Sequence, residues 1–202
     1  MAAVLLKVES SPGDRNTRVL TMTDEGLDVS GVSFAWPEID RVRYGAVDSY
    51  VNGGYVGTTY RIEVGNAARK KTRFKLTSRT TGVLKNKIDH ERRERNRAEW
   101  IKAVEILEER VCGRLAAEAV MTVRGGGTAE CAGVRLDPQG VRRSGPFGRS
   151  VAWQDIAGTE VKHPYVRIFA RRGEQPKKAI KVPIGTWNAV LLPRVIEALS
   201  QR

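Results

Sequence analysis

The chain has 202 residues, 41% apolar and 29% charged, a balance that suits one large or two small folded domains and excludes wholesale disorder. Its net charge of +12 favours anionic partners, whether lipid headgroups, nucleic acid or acidic protein surfaces. No apolar run is long enough to span a bilayer.

The charge is uneven. From Arg124 onward there are 14 basic and 6 acidic residues, against 21 and 17 before it. The opening stretch MAAVLLKVES lacks a basic lead-in and a clear cleavage site, so a cytoplasmic location is expected. Cys112 and Cys131 are the only cysteines and neither sits in a CxxC, so both are read as free thiols. His90 and His163 are isolated as well, which gives no expectation of a metal or cofactor.

In chain order, RVLTMTDEGLDVSG predicts two strands joined at Asp24, Glu25 and Gly26. The next strand, GVSFAWPEIDRVRY, supplies Phe34, Trp36 and Ile39 to the interior. The Trp-to-Ile spacing of three predicts a bulge or bend after the tryptophan. GAVDSYVNGGYVGTTY (45–60) predicts a long hairpin with Asn52-Gly53 at its tip. Tyr50, Asn52, Tyr55 and Tyr60 are its candidate protein-contact residues, since tyrosine gives a large contact area at low entropy cost. The competing expectation is that these rings alternate and pack on the sheet.

TYRIEVGNAARKKTRFKLT (59–77) predicts strand, basic turn, strand. SRTTGVLKNKIDHERRERNRAEW (78–100) mixes both charge signs at helical spacing, with Leu84 and Ile88 four apart, and predicts a solvated lead-in to a helix. In that helix Trp100, Val104, Leu107 and Val111 share one face. Residues 112–127 are expected to form a helical, Gly-rich connector ended by Gly125, Gly126 and Gly127.

The same order then recurs. VRLDPQGVRRSG places a turn at Asp137-Pro138-Gln139-Gly140, and GRSVAWQDIA (148–157) repeats GVSFAWPEID (31–40). YVRIFARRGEQPKKAIKVP (165–183) predicts a second strand pair. Leu192, Val195, Ile196 and Leu199 form one face of a last helix, with Thr186 or Asn188 as cap and Pro193 at its start or at a kink. Arg142, Arg143, Arg149, Arg171, Arg172, Lys177 and Lys178 are the candidate anion-contact residues of this half.

Antiparallel strands followed by one amphipathic helix bury their apolar faces most simply as a curled sheet plugged by the helix. With a tryptophan early in the helix (AEWI, Trp100), the arrangement resembles the pleckstrin-homology (PH) superfold. The elements GLDVSG…AWPEIDRV and GVRRSG…AWQDIAGTEV are similar to small bacterial PH-like domains. The tandem layout and the YVNGGYVGTTY loop also resemble a group of actinobacterial PH-like proteins. The resemblance implies a mainly β chain of two partly open barrels, each closed by a C-terminal helix: 1–111, then the connector, then 128–202. Lipid-binding PH domains carry Lys and Arg in the loop between their first two strands. The turns matched to that loop here, TDEG and DPQG, are acidic.

No G-x-S-x-G, HExxH, P-loop or G-x-G-x-x-G is present, and Glu38 and Asp155, at equivalent places, are expected to cap a turn or pair with an arginine rather than to catalyse. The reading is a non-enzymatic protein-interaction scaffold or adaptor. The alternative is peripheral attachment to anionic membrane through the basic hairpins. Nucleic acid ranks behind both, because aromatics are not seen interleaved with the basic clusters. Self-association through a sheet edge is also open.

Overall fold

The computed structural model describes residues 2–10, 17–68, 70–79, 86–144, 148–172 and 175–201, with side chains at all of these but 79, 86–89 and 172. It divides into two units, Met1–Val111 and Cys112–Arg202. The boundary falls in a π-helical stretch, Glu108–Cys112.

In the first unit β1 (Val4–Glu9), β2 (Val19–Thr23), β3 (Gly26–Val29) and β4 (Val32–Ala35) form an antiparallel meander. A 3-10 turn, Trp36–Glu38, leads to a second meander of β5 (Arg41–Val51), β6 (Gly54–Gly65) and β7 (Lys71–Arg79). The helix α1 (Asn86–Leu107) follows and packs on β6, β7 and β1. The core gathers Leu20, Met22, Phe34, Ile39, Val42, Phe74 and Leu107, all essentially excluded from solvent.

The second unit begins with α2 (Gly113–Arg124) and then repeats the order. Strands β8 (Ala129–Cys131), β9 (Val134–Asp137), β10 (Gly140–Arg143) and β11 (Ser150–Ala152) form its four-stranded sheet. A 3-10 turn at Trp153–Asp155 leads to β12 (Ile156–Lys162), β13 (Tyr165–Arg172) and β14 (Gln175–Pro183), and α3 (Leu192–Ser200) closes the chain. Leu136, Ile168, Ile180, Leu192, Ile196 and Leu199 make a separate core.

The repeat extends to single atoms. Thr23 Oγ1 accepts hydrogen bonds from the Glu25 and Gly26 amides, and Asp137 Oδ1 accepts the same pair from Gln139 and Gly140. Each of these residues also offers its carbonyl to a tryptophan, Trp36 Nε1 at 3.1 Å and Trp153 Nε1 at 2.8 Å. Gly26 faces Ala35 across the ladder, and Gly140 faces Ala152. A Cβ on either glycine would lie 2.1 Å from a carbonyl oxygen, that of Phe34 or of Val151. The 3-10 turn explains the Trp-to-Ile spacing: three residues of tighter helix return Ile39 and Ile156 to the interior. Glu38 caps its turn by accepting from the Ala35 amide, whereas the turn at Asp155 has no side-chain cap.

Two expectations are corrected. Among the described residues, each unit holds two separate sheets rather than one partly open barrel, because the tryptophan turn interrupts the ladder. Each unit also begins one strand earlier than expected, at β1 and β8, so TDEG and DPQG join the second strand to the third. The 112–127 stretch is helical as expected, and it clusters with the second unit. Helix α2 buries Leu115, Ala116 and Val123 and packs on α3 and β8, while Arg124 donates to the Ala198 carbonyl near the end of α3. The Gly triplet ends α2 as expected. The Gly126 and Gly127 amides bond back to Val123 and Thr122 with Gly126 at φ +86°, the Schellman pattern that needs glycine.

Pro193 stands in the first turn of α3, where its missing N–H costs nothing. Neither Thr186 nor Asn188 caps α3 by side chain; Asn188 instead sits left-handed at φ 63° before a 3-10 turn. Both cysteines are buried and neither is in a disulfide, and burial pushes the Cys131 thiol up to about 12. No described helix is long and apolar enough to cross a membrane.

Candidate functional site

The two units differ most in their middle hairpins. In the second, β12 and β13 are joined at His163-Pro164 after strands of 7 and 8 residues. In the first, β5 and β6 run 11 and 12 residues and turn at Asn52 and Gly53, with φ of 49° and 79°. Two left-handed residues in succession match the right-handed strand twist, which is why Asn-Gly is favoured there. Among the described residues β7 pairs with β6 only as far as Gly57, and the hairpin beyond it has two strands.

Exposed apolar side chains gather here: Tyr50 at 63% and Val51 at 59% at the tip, and Val47 at 48% at its base. It is braced from within. Tyr50 meets Tyr55 edge to face at 5.8 Å, and Arg93 of α1 stacks over the Tyr55 ring at 4.8 Å. Thr58 shares a 2.6 Å hydrogen bond with the Tyr55 hydroxyl and donates to Asp48 Oδ1 at 2.6 Å. Of the four residues expected as a contact surface, Tyr50 and Asn52 are exposed and Tyr55 is half-buried. Tyr60 is buried, its ring 5.4 Å from that of Trp100, and burial raises its hydroxyl pKa. Strand parity accounts for this: Tyr60 points inward with Ile62 and Val64.

The candidate anion-contact residues fall on two sheets. Arg142, Arg143 and Arg149 are exposed on the β8–β11 sheet, and Arg171, Lys177 and Lys178 are exposed on the β12–β14 sheet. The Arg172 side chain and residues 145–147 and 173–174 of those hairpins lie outside the described residues, as do Leu84 and the Ile88 side chain. An open cavity of about 660 Å³ lies beside α3, lined by Trp153, Ile156, Thr159, Arg171, Glu197 and Ser200 among others. No group of three His, Cys, Asp or Glu side chains is placed to hold a metal among the described residues.

The outer faces of the two three-stranded sheets also differ. In the first unit Arg43, Glu63 and Arg73 stand in one row across β5, β6 and β7. Glu63, only 4% exposed, holds Arg43 Nη2 and Arg73 Nε at 2.5 Å each, with Arg61 Nε at 3.6 Å. Burial alone would raise its pKa, but hydrogen bonds and charge from Arg43 and Arg73 outweigh it, and the carboxyl lies below its ordinary 4.5. A depressed folded pKa contributes stability above the ordinary value, lost as pH falls through the lower folded one. Glu63→Gln is therefore expected to cost about 1–3 kcal/mol at pH 7 in urea unfolding. The gap to wild type should narrow below pH 4.5; a constant gap would show that the carboxylate charge is not what matters.

The equivalent face of the second unit escaped sequence reading. Along β13, Val166, Ile168 and Ala170 are buried while Tyr165, Arg167 and Phe169 turn outward, half-buried. Aromatic and basic residues are thus interleaved at period two in YVRIFARR, a spacing hidden when basic residues are counted by hairpin.

Comparison with family models, with curated proteins and with solved structures returned no match.

Proposed function

We propose that the chain is a non-enzymatic binding module, a scaffold or adaptor built from two PH-like domains, with the tip of the β5–β6 hairpin as its protein-contact surface. The PH-like reading is supported by the order repeated in each unit: a four-stranded meander, a three-stranded meander, then a helix. The contact surface is supported by one observation, the exposed Tyr50 and Val51 on a braced hairpin tip longer than that of the second unit, with exposed Val47 at its base. An aromatic held in place by its neighbours loses little entropy on binding, which favours it as an anchor.

The double variant Tyr50→Ser/Val51→Ser tests this reading. Both side chains are more than half exposed, so the thermal midpoint should stay within a few degrees of wild type. A partner protein recovered by the tagged wild-type chain should be lost with the variant, at a cost of about 2 kcal/mol or more. Equal recovery of every partner by both chains would refute the surface.

A further inference from the structure

We infer that the outer face of the β12–β14 sheet is a platform for single-stranded nucleic acid. Register defines three rows on that face: Lys162, Tyr165 and Pro183; Glu160, Arg167 and Lys181; Gly158, Phe169 and Lys178. The rows hold four cations against one carboxylate. Glu160 approaches Arg167 at 3.4 Å, and among the described residues Lys162, Lys178 and Lys181 have no carboxylate within 4.0 Å. In the first unit the matching arginines converge on the buried Glu63 and no aromatic ring lies among them. The same face of the first unit carries still more cations, with Arg41, Lys71, Arg61 and Lys75 in the rows flanking Glu63, so it is the rings and not charge alone that set the second copy apart.

The rings decide which anion. Tyr165 and Phe169 stand about 13 Å apart along the strand with Arg167 between them. Two bases can stack on the rings while the intervening phosphates meet Arg167 and Lys178. Beside Phe169 the partner strand carries Gly158, where a Cβ would enter open space, so no side chain walls off the ring. Lys181 Nζ sits 3.4 Å above the Tyr165 ring; a stacking base displaces it toward the backbone. A membrane fits this face poorly, since both rings are half-buried and Phe169 lies within the strand, away from the hairpin tip that could enter headgroups. A duplex offers phosphates but no base faces.

The test is fluorescence anisotropy of the full chain with a labelled oligothymidylate of about 15 nucleotides, within the span of single-strand sites on comparable folds. Binding should weaken as salt rises, and an unlabelled duplex of equal length should compete poorly. Phe169→Ala should weaken binding about tenfold, and Phe169→Trp should retain it, as expected for stacking. If Phe169→Ala fails to fold by circular dichroism, Lys162→Glu/Lys178→Glu decides, since both side chains are exposed. It should weaken binding and flatten the salt dependence. Unchanged affinity in the folded variants, equal competition by duplex, or pelleting with phosphatidylglycerol vesicles without oligonucleotide binding would each overturn the inference.

Discussion

Gly26→Ala should unfold the first unit's four-stranded sheet at a cost of about 3 kcal/mol or more, and Gly140→Ala should do the same in the second. At Gly26 the reason is contact with backbone rather than φ; at Gly140, with φ +157°, backbone strain adds to the same contact. A Cβ at either position lands 2.1 Å from a carbonyl oxygen that cannot rotate away, because it belongs to a strand paired across the ladder. The strands must part, and the hydrogen bond from the neighbouring tryptophan is strained with them. Gly31→Ala makes the contrast. Gly31 has φ +87° but nothing within 4 Å of an added Cβ, so its cost is only the backbone's, about 1 kcal/mol. Urea midpoints of the three variants check the order; Gly31→Ala matching Gly26→Ala would show that close approach is not the constraint.

Removing either tryptophan is the second large effect. Trp36 is 6% exposed and Trp153 8%, and each ties the 3-10 turn between sheets to the hairpin before it. Trp36→Ala and Trp153→Ala should each cost about 3–5 kcal/mol through the cavity left behind. Trp→Phe keeps most of the buried ring but orphans a carbonyl, at about 1 kcal/mol. Because the two sites match, the two alanine variants should fall within about 1 kcal/mol of each other, each in its own unit. A large loss at one site with none at the other would show that the tryptophans are not equivalent.

Much of this was readable in the residues themselves. The Asp-Pro-x-Gly and Asn-Gly turns, the recurring A-W-x-acid-I and the closing helices are set by local chemistry: preset φ, tolerance of positive φ, and a 3.6-residue apolar period. Local chemistry could not supply partners distant in the chain. The first strand of each unit was missed because VLLKVE and AEC are short and earn their place only by pairing with β2 and β9. The helix of residues 113–124 was legible, but not its partner, because α3, which covers its apolar face, lies some 70 residues later.

The candidate surfaces show the same division. Asn52-Gly53 announced the hairpin, but which tyrosine faces solvent depends on strand parity and on Trp100, which takes Tyr60 inward. Glu63 looked like any strand charge until β5 and β7 brought two arginines beside it. On β13, grouping basic residues by loop concealed an alternation that appears once Val166, Ile168 and Ala170 point to the core.

A unit of two sheets and a helix is built twice, each copy with its own interior. Fluorine NMR of the chain labelled with 5-fluorotryptophan addresses it directly, with resonances from Trp36 and Trp100 in one unit and Trp153 and Trp187 in the other. Introducing Gly26→Ala should broaden or shift the first pair and leave the second at wild-type positions. Simultaneous collapse of all four resonances would mean one shared core and would contradict the account.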